Sequence, residues 1–217
     1  MRVFILESPN PIDLLQGRSE MQSLETICRL FEHEVVTFLV KSRQEFNDTI
    51  KYISTINLKA EPDSPICLHL STHGNEDGLG FGEDGMDWKD LFDVLQPLYK
   101  KISKNKSGNI LVISACGAGQ QKLTREFTDS HKNGSLIHRL SIKPPKYVFV
   151  TAEEEVTWQD AVVSWTILYR KLAEINLDDR NEVQNILKNI KSLEAGTIKY
   201  FRWDEQSKSY KSYSVPD

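Results

Sequence analysis

Continuous apolar runs alternate with helical stripes along this chain. Residues 2–7 (RVFILE) are almost wholly apolar, the pattern of a strand covered on both faces. Residues 8–17 are rich in Pro, Asn and Gly and read as a loop. Ser19 is placed to cap a helix running to about residue 32, with Met21, Leu24, Ile27, Cys28 and Phe31 as its apolar stripe. Residues 35–40 are a second strand, and Ser42 caps a helix with Phe46, Ile50 and Ile53 on one face. A third strand runs through Ile66, Leu68 and Leu70 and ends near His73.

The glycine-dense stretch 78–86 predicts a tight hairpin, and Asp87 caps a helix from Trp88 to about residue 103. A fourth strand, 109–114, leads to Cys116. Residues 117–146 read as irregular, with a short helix near 121–127, a polar stretch at 130–135 and Pro144-Pro145. A fifth strand covers 147–152, and helices follow at 160–175 and 178–193, the second closed by Gly196. Residues 197–203 and 208–214 read as a terminal hairpin.

This order predicts an α/β fold, a three-layer αβα sandwich with a mostly parallel central sheet, as a single domain over residues 1–217. In such sheets sites lie at the carboxyl ends of the strands. Composition narrows the partners. The net charge of −4 offers no basic field for nucleic acid, and positive charge is scattered apart from 100–106, which reads as a solvated helix end. No apolar run approaches the roughly 20 residues needed to cross a bilayer, so no membrane association is expected. Cys28, Cys67 and Cys116 are odd in number and lack a CxxC spacing, which argues against a disulfide framework and a metal site. The expected compartment is the reducing cytoplasm.

Two motifs carry the chemistry: Thr72-His73-Gly74 and Ser114-Ala115-Cys116-Gly117, each closing an apolar strand. An imidazole beside a thiol is a base beside a nucleophile. Gly74 allows close backbone approach to a substrate, and its N–H with that of Cys116 suits an oxyanion hole. These roles need no third carboxylate. Each motif alone has a plain reading too, a small buried cysteine or a loop histidine; the pairing at equivalent strand ends is what favours a cysteine hydrolase.

The stretch 68–81 (LHLSTHGNEDGLGF) and residues 110–117 together resemble the caspase-like cysteine peptidases of clan CD, in which one strand ends in His-Gly and a later one in an Ala-Cys-Gly motif. The histidine lies upstream of the cysteine by a distance close to the ~50 residues of the caspase signature. The resemblance extends to about residue 175: Arg18 stands where caspases carry an arginine after the first strand, and Val156-Thr157-Trp158-Gln159 is similar to their Val-Ser-Trp-Arg segment. The Ser-Ala-Cys form and the helix over 164–172 are also similar to prokaryotic CHAT-type peptidases.

The resemblance implies Cys116 as nucleophile, His73 as general base and acid, and Gly74 and Cys116 as oxyanion donors. It places Trp158 beside the substrate, and Arg18, Ser114 and Gln159 in the primary specificity pocket. That pocket departs from the caspase pattern, because only Arg18 matches its two arginines and one glutamine; strict cleavage after aspartate is not expected. Asp160, with Glu153, Glu154 and Glu155 nearby, would favour a basic residue instead, or forms a solvated loop and helix cap. Lys122, Arg125, Lys132, Arg139 and Lys143 fall in 117–146, where caspases carry a cleavable linker, or lie on an ordinary surface loop.

The implied function is an intracellular endopeptidase without cofactor, acting on a protein substrate. Stand-alone domains of this kind resemble effectors of prokaryotic defence systems, with an upstream sensor or activator and a gasdermin-like pore former as one candidate substrate. A catalytically silent caspase-like binding module is the alternative. A receiver-like or flavodoxin-like domain is the third reading, and the absence of a GxxxxGK[ST] loop counts against it.

Overall fold

The computed structural model describes residues 1–59, 65–100, 109–119, 121–152, 155–194 and 198–215. The first half contains β1 (Arg2–Ser8), α1 (Pro11–Leu15), α2 (Met21–Leu30), β2 (Glu34–Leu39), α3 (Arg43–Lys59), β3 (Ile66–Thr72), the hairpin β4 (Gly78–Phe81) and β5 (Asp84–Asp87), and α4 (Trp88–Tyr99). The second half contains β6 (Ile110–Ser114), α5 (Lys122–Asn133), α6 (Leu136–Ser141), β7 (Tyr147–Thr151), α7 (Trp158–Glu174), α8 (Arg180–Ser192), β8 (Ile198–Asp204) and β9 (Ser209–Tyr213).

Seven strands form one sheet in the order β2-β1-β3-β6-β7-β8-β9. The first five are parallel, and β8 and β9 add antiparallel at one edge. Alternation along each strand sends side chains to two cores. Phe4, Leu6, Leu68, Leu70, Leu111 and Ile113 pack with side chains of α3, α4 and α5. Val3, Ile5, Cys67, Ile110 and Val112 pack with those of α2, α7 and α8. Both faces are covered, which is why the parallel strands read as unbroken apolar runs. The expected three-layer αβα architecture is the one observed.

The differences are local. The loop expected over 8–17 contains α1, five residues long and too short to show a stripe. Its signals are Asn10 as N-cap and Pro11 at the first helical position. Ser19 does not cap α2; its hydroxyl donates to Glu7 at 2.6 Å. The stretch 117–146 is not irregular: α5 buries Leu123 and Phe127 in the core beneath the sheet, and α6 follows it with its apolar side chains exposed. Lys122 pairs with Asp77, and Lys132 and Arg139 lie on these helices. The helix end over 101–106, Glu153, Glu154, Gly196 and residue 197 lie outside the described residues.

A polar network lies within the second core. His69, fully buried on β3, contacts Glu20 Oε2 through Nε2 at 3.2 Å and the Tyr169 hydroxyl through Nδ1 at 2.8 Å. Glu20 Oε1 accepts from Ser114 Oγ at 2.7 Å, and Ser114 Oγ accepts from Trp165 Nε1 at 2.9 Å. The network ties α2, β3, β6 and α7 together, since each buried polar atom needs a partner in its neighbour. Tyr169→Phe leaves His69 Nδ1 without its partner. The variant is expected to lose about 1–3 kcal/mol of unfolding free energy in urea denaturation; a change within ~0.3 kcal/mol of zero would show that the bond carries no stability.

Candidate active site

The register across the sheet decides what can meet at its carboxyl end. Glu7 on β1 stands opposite Ser71 on β3, and Ser71 opposite Ser114 on β6. His73 and Cys116 lie two residues beyond Ser71 and Ser114, so they leave adjacent strands at the same level. Contacts between the two following turns hold them there. A Cβ on Gly74 would come within 3.2 Å of the Cys116 carbonyl oxygen and 3.0 Å of Ala115 Cβ. Gly117 adopts φ +69°, and a Cβ there would meet the Asn75 carbonyl carbon at 2.6 Å. Glycine is required at Gly117 both for its left-handed backbone and for the space.

The bridge after β3 has a chemical consequence. Gly74 opposes Leu79, but the hydrogen bonds of this pair run from Gly80 N–H to the His73 carbonyl at 2.8 Å and from Asn75 N–H to the Gly78 carbonyl at 3.1 Å. Gly74 is thus a non-bonded partner in the pair, and its own N–H takes no part in the bridge. A cleft of about 440 Å³ opens beside it, lined by His73, Gly74, Asn75 and the β4–β5 hairpin.

His73 is half exposed, and a residue absent from the sequence-based site holds it. Asp13 on α1 is buried, and its Oδ2 lies 2.6 Å from His73 Nε2. The same oxygen accepts the Asn10 backbone N–H at 3.1 Å, while the Asn10 side chain accepts the Asp13 N–H at 2.8 Å, a reciprocal capping box. Asn-x-x-Asp is a readable box, but it signals only a helix start; its meeting with a histidine 60 residues later is not written in it. The Trp158 ring meets His73 edge-on, with centroids 6.3 Å apart, from the first residue of α7.

Three of the residues expected around the substrate, Arg18, Ser114 and Asp160, have partners within the chain. Arg18 Nη1 lies 3.8 Å from Asp13 Oδ1, with its side chain half exposed. Ser114 is buried in the Glu20–Trp165 network. Gln159 is exposed on the first turn of α7. Asp160 is engaged in a cap: its carboxylate accepts from Thr157 Oγ1 at 2.6 Å, and its backbone N–H donates to that hydroxyl at 3.1 Å. Two acidic residues that the sequence did not single out are buried here. Glu7 accepts from Ser19 Oγ and from the N–H groups of Glu20 and Met21, and burial raises its carboxyl above the usual range despite these donors. Glu20 is the second. Ser71 Oγ, buried between Glu7 and Ser114, has no hydrogen-bond partner among the described residues.

The three thiols differ. Cys28 and Cys67 are buried, and burial pushes both up to about 12, which leaves them unreactive at neutral pH. Cys116 is partly exposed. Among the described residues no group of three or more His, Cys, Asp or Glu is placed to hold a metal ion, and no helix is long and apolar enough to cross a membrane.

Gly117→Ala tests the turn contact. It is expected to lower the unfolding free energy by at least about 1–2 kcal/mol, the cost of a left-handed backbone in an L-residue. It should also change the rate at which iodoacetamide alkylates Cys116; unaltered stability would mean that the two turns do not pack as described.

No protein-family model matches the chain, and no curated protein matches it. Solved structures do. The crystal structure of caspase-1 from Spodoptera frugiperda superposes on all of this chain and on 84% of its own length, with a TM-score of 0.56 and 13% sequence identity. At that identity the likeness speaks to architecture alone, and the layers and the mostly parallel sheet described above fit it: the chain has a caspase-like fold.

Proposed function

We propose that the protein is a cysteine endopeptidase that hydrolyses a protein substrate with Cys116 as nucleophile and His73 as its base. The observation that carries this reading is the convergence of His73, held by Asp13, and the partly exposed Cys116 on two packed turns at the carboxyl ends of β3 and β6. The caspase-like fold supports it.

In this mechanism the Cys116 thiol gives its proton to His73, and the sulfur attacks the peptide carbonyl carbon. A C–S bond forms, and the carbonyl electron pair moves onto oxygen. The N–H groups of Gly74 and Cys116 receive that oxyanion, a role open to Gly74 because its N–H takes no part in the bridge to Leu79. The C–N bond then breaks, and the proton held by His73 leaves with the amine. Water, deprotonated by His73, releases the acyl group and restores the thiol.

The pocket supports a neutral or basic residue before the scissile bond. Arg18 already faces Asp13, and Glu7 and Glu20 are buried nearby. A substrate carboxylate would lose its water beside these charges with one shared guanidinium to offset the loss. The same site suits an effector that an upstream activator switches on in the cytoplasm, with a pore-forming protein as a candidate substrate.

Cys116→Ala and His73→Ala are each expected to abolish hydrolysis, by at least roughly 10³-fold, without loss of fold by circular dichroism. Full activity in Cys116→Ala would overturn the assignment. An electrophilic thiol probe should label Cys116 and spare Cys28 and Cys67; if Cys116 stays unlabelled in the folded protein, the chain is a silent binding module. Profiling the purified protein on a peptide library should show no dominance of aspartate before the cleaved bond. A strict aspartate preference would instead show that Arg18 leaves Asp13 to bind substrate.

A further inference from the structure

We infer that Asp13 is the positioning residue of His73: it holds the ring in the tautomer with hydrogen on Nε2, so that Nδ1 is the nitrogen that takes the Cys116 proton. The inference rests on the peptidase reading and assigns the site a third member.

The hydrogen-bond inventory decides the tautomer. His73 Nε2 has two neighbours, Asp13 Oδ2 at 2.6 Å and the Asn10 side-chain nitrogen at 3.1 Å. A carboxylate only accepts, and an amide nitrogen only donates. One ring nitrogen cannot serve both. The shorter contact, to the charged and buried partner, is the stronger bond, so Nε2 carries the hydrogen and donates it to Asp13. In the neutral ring Nδ1 is then bare and free to accept a proton.

The carboxylate is itself held in place. Asn10 N–H donates to Oδ2, and Arg18 stands near Oδ1. Asn10, through the capping box, and Pro11, with its preset backbone angle, fix the helical turn that carries it. When Nδ1 accepts the thiol proton the ring becomes a cation, and the adjoining buried carboxylate stabilises that charge. The proton moves from Sγ to Nδ1 and later to the leaving amine; Asp13 neither gains nor loses one.

The Asp13→Asn variant tests this. An asparagine keeps an oxygen for the Asn10 N–H but removes the negative charge that holds the ring and stabilises its cation. Two-bond 1H–15N spectra of the neutral ring should show hydrogen on Nε2 in the parent protein. The variant's kcat is expected to fall by roughly 10²–10⁴-fold with KM little changed. Asp13→Glu keeps a carboxylate at the third helical position, where it also suits the cap, and should retain the parent tautomer and more activity than Asp13→Asn.

If Asp13→Asn does not fold, the parent spectrum and Asp13→Glu still decide. Hydrogen on Nδ1 in the parent, or an Asp13→Asn variant with parental kcat, overturns the inference. The peptidase reading fails separately, through full activity in Cys116→Ala.

Discussion

The carboxylate of Glu7 is the constraint from which the carboxyl end of this sheet follows. It sits buried at the end of β1 and must find donors there. It finds them in Ser19 and in the first backbone N–H groups leading into α2. That closes the chain from residue 7 to residue 21 into a loop pinned at both ends. Within the loop Asn10 and Pro11 start a single helical turn, and that turn presents Asp13 to His73. The base of the proposed site is thus held by a side chain whose place depends on a buried acid 6 residues earlier in the chain.

The same closure gives two of the expected pocket residues partners of their own. Drawing α2 against β1 brings Glu20 beneath Ser114, and the pair takes up the hydrogen-bonding capacity of Trp165 and His69. A serine two residues before the cysteine looks like an open pocket position in the sequence. In the fold it is a strut between β6, α2 and α7. Arg18 is likewise drawn toward Asp13. Arg18 and Ser114, which appear available to a substrate in the sequence, have partners within the chain, while His73, Cys116 and Gln159 keep exposed surface.

How much was legible follows from the range of each signal. The strands of the two-sided core were readable because burial on both faces writes an unbroken apolar run, as in Phe4, Ile5 and Leu6 or Leu111, Val112 and Ile113. The hairpin over 78–87 was readable through its glycines. α1 was missed because five residues cannot show a helical period. α5 is legible only in part, because Leu123 and Phe127 are separated by polar residues and followed by the polar run 130–135. Ser19 reads as a cap from its neighbours alone, because its actual partner, Glu7, lies 12 residues away in sequence.

From the sequence alone came the layered fold and the placing of His73 and Cys116 at equivalent strand ends, each followed by a glycine. These are local properties: periodicity, apolar runs and glycine positions act over a few residues. Only the tertiary structure decided that Asp13 holds His73, that Ser114 and Glu20 are joined, and that Arg18 faces an acid of its own chain. Each is a contact between segments distant in sequence, chosen by burial and by the need of every buried polar atom for a partner. No spacing along the chain encodes that choice.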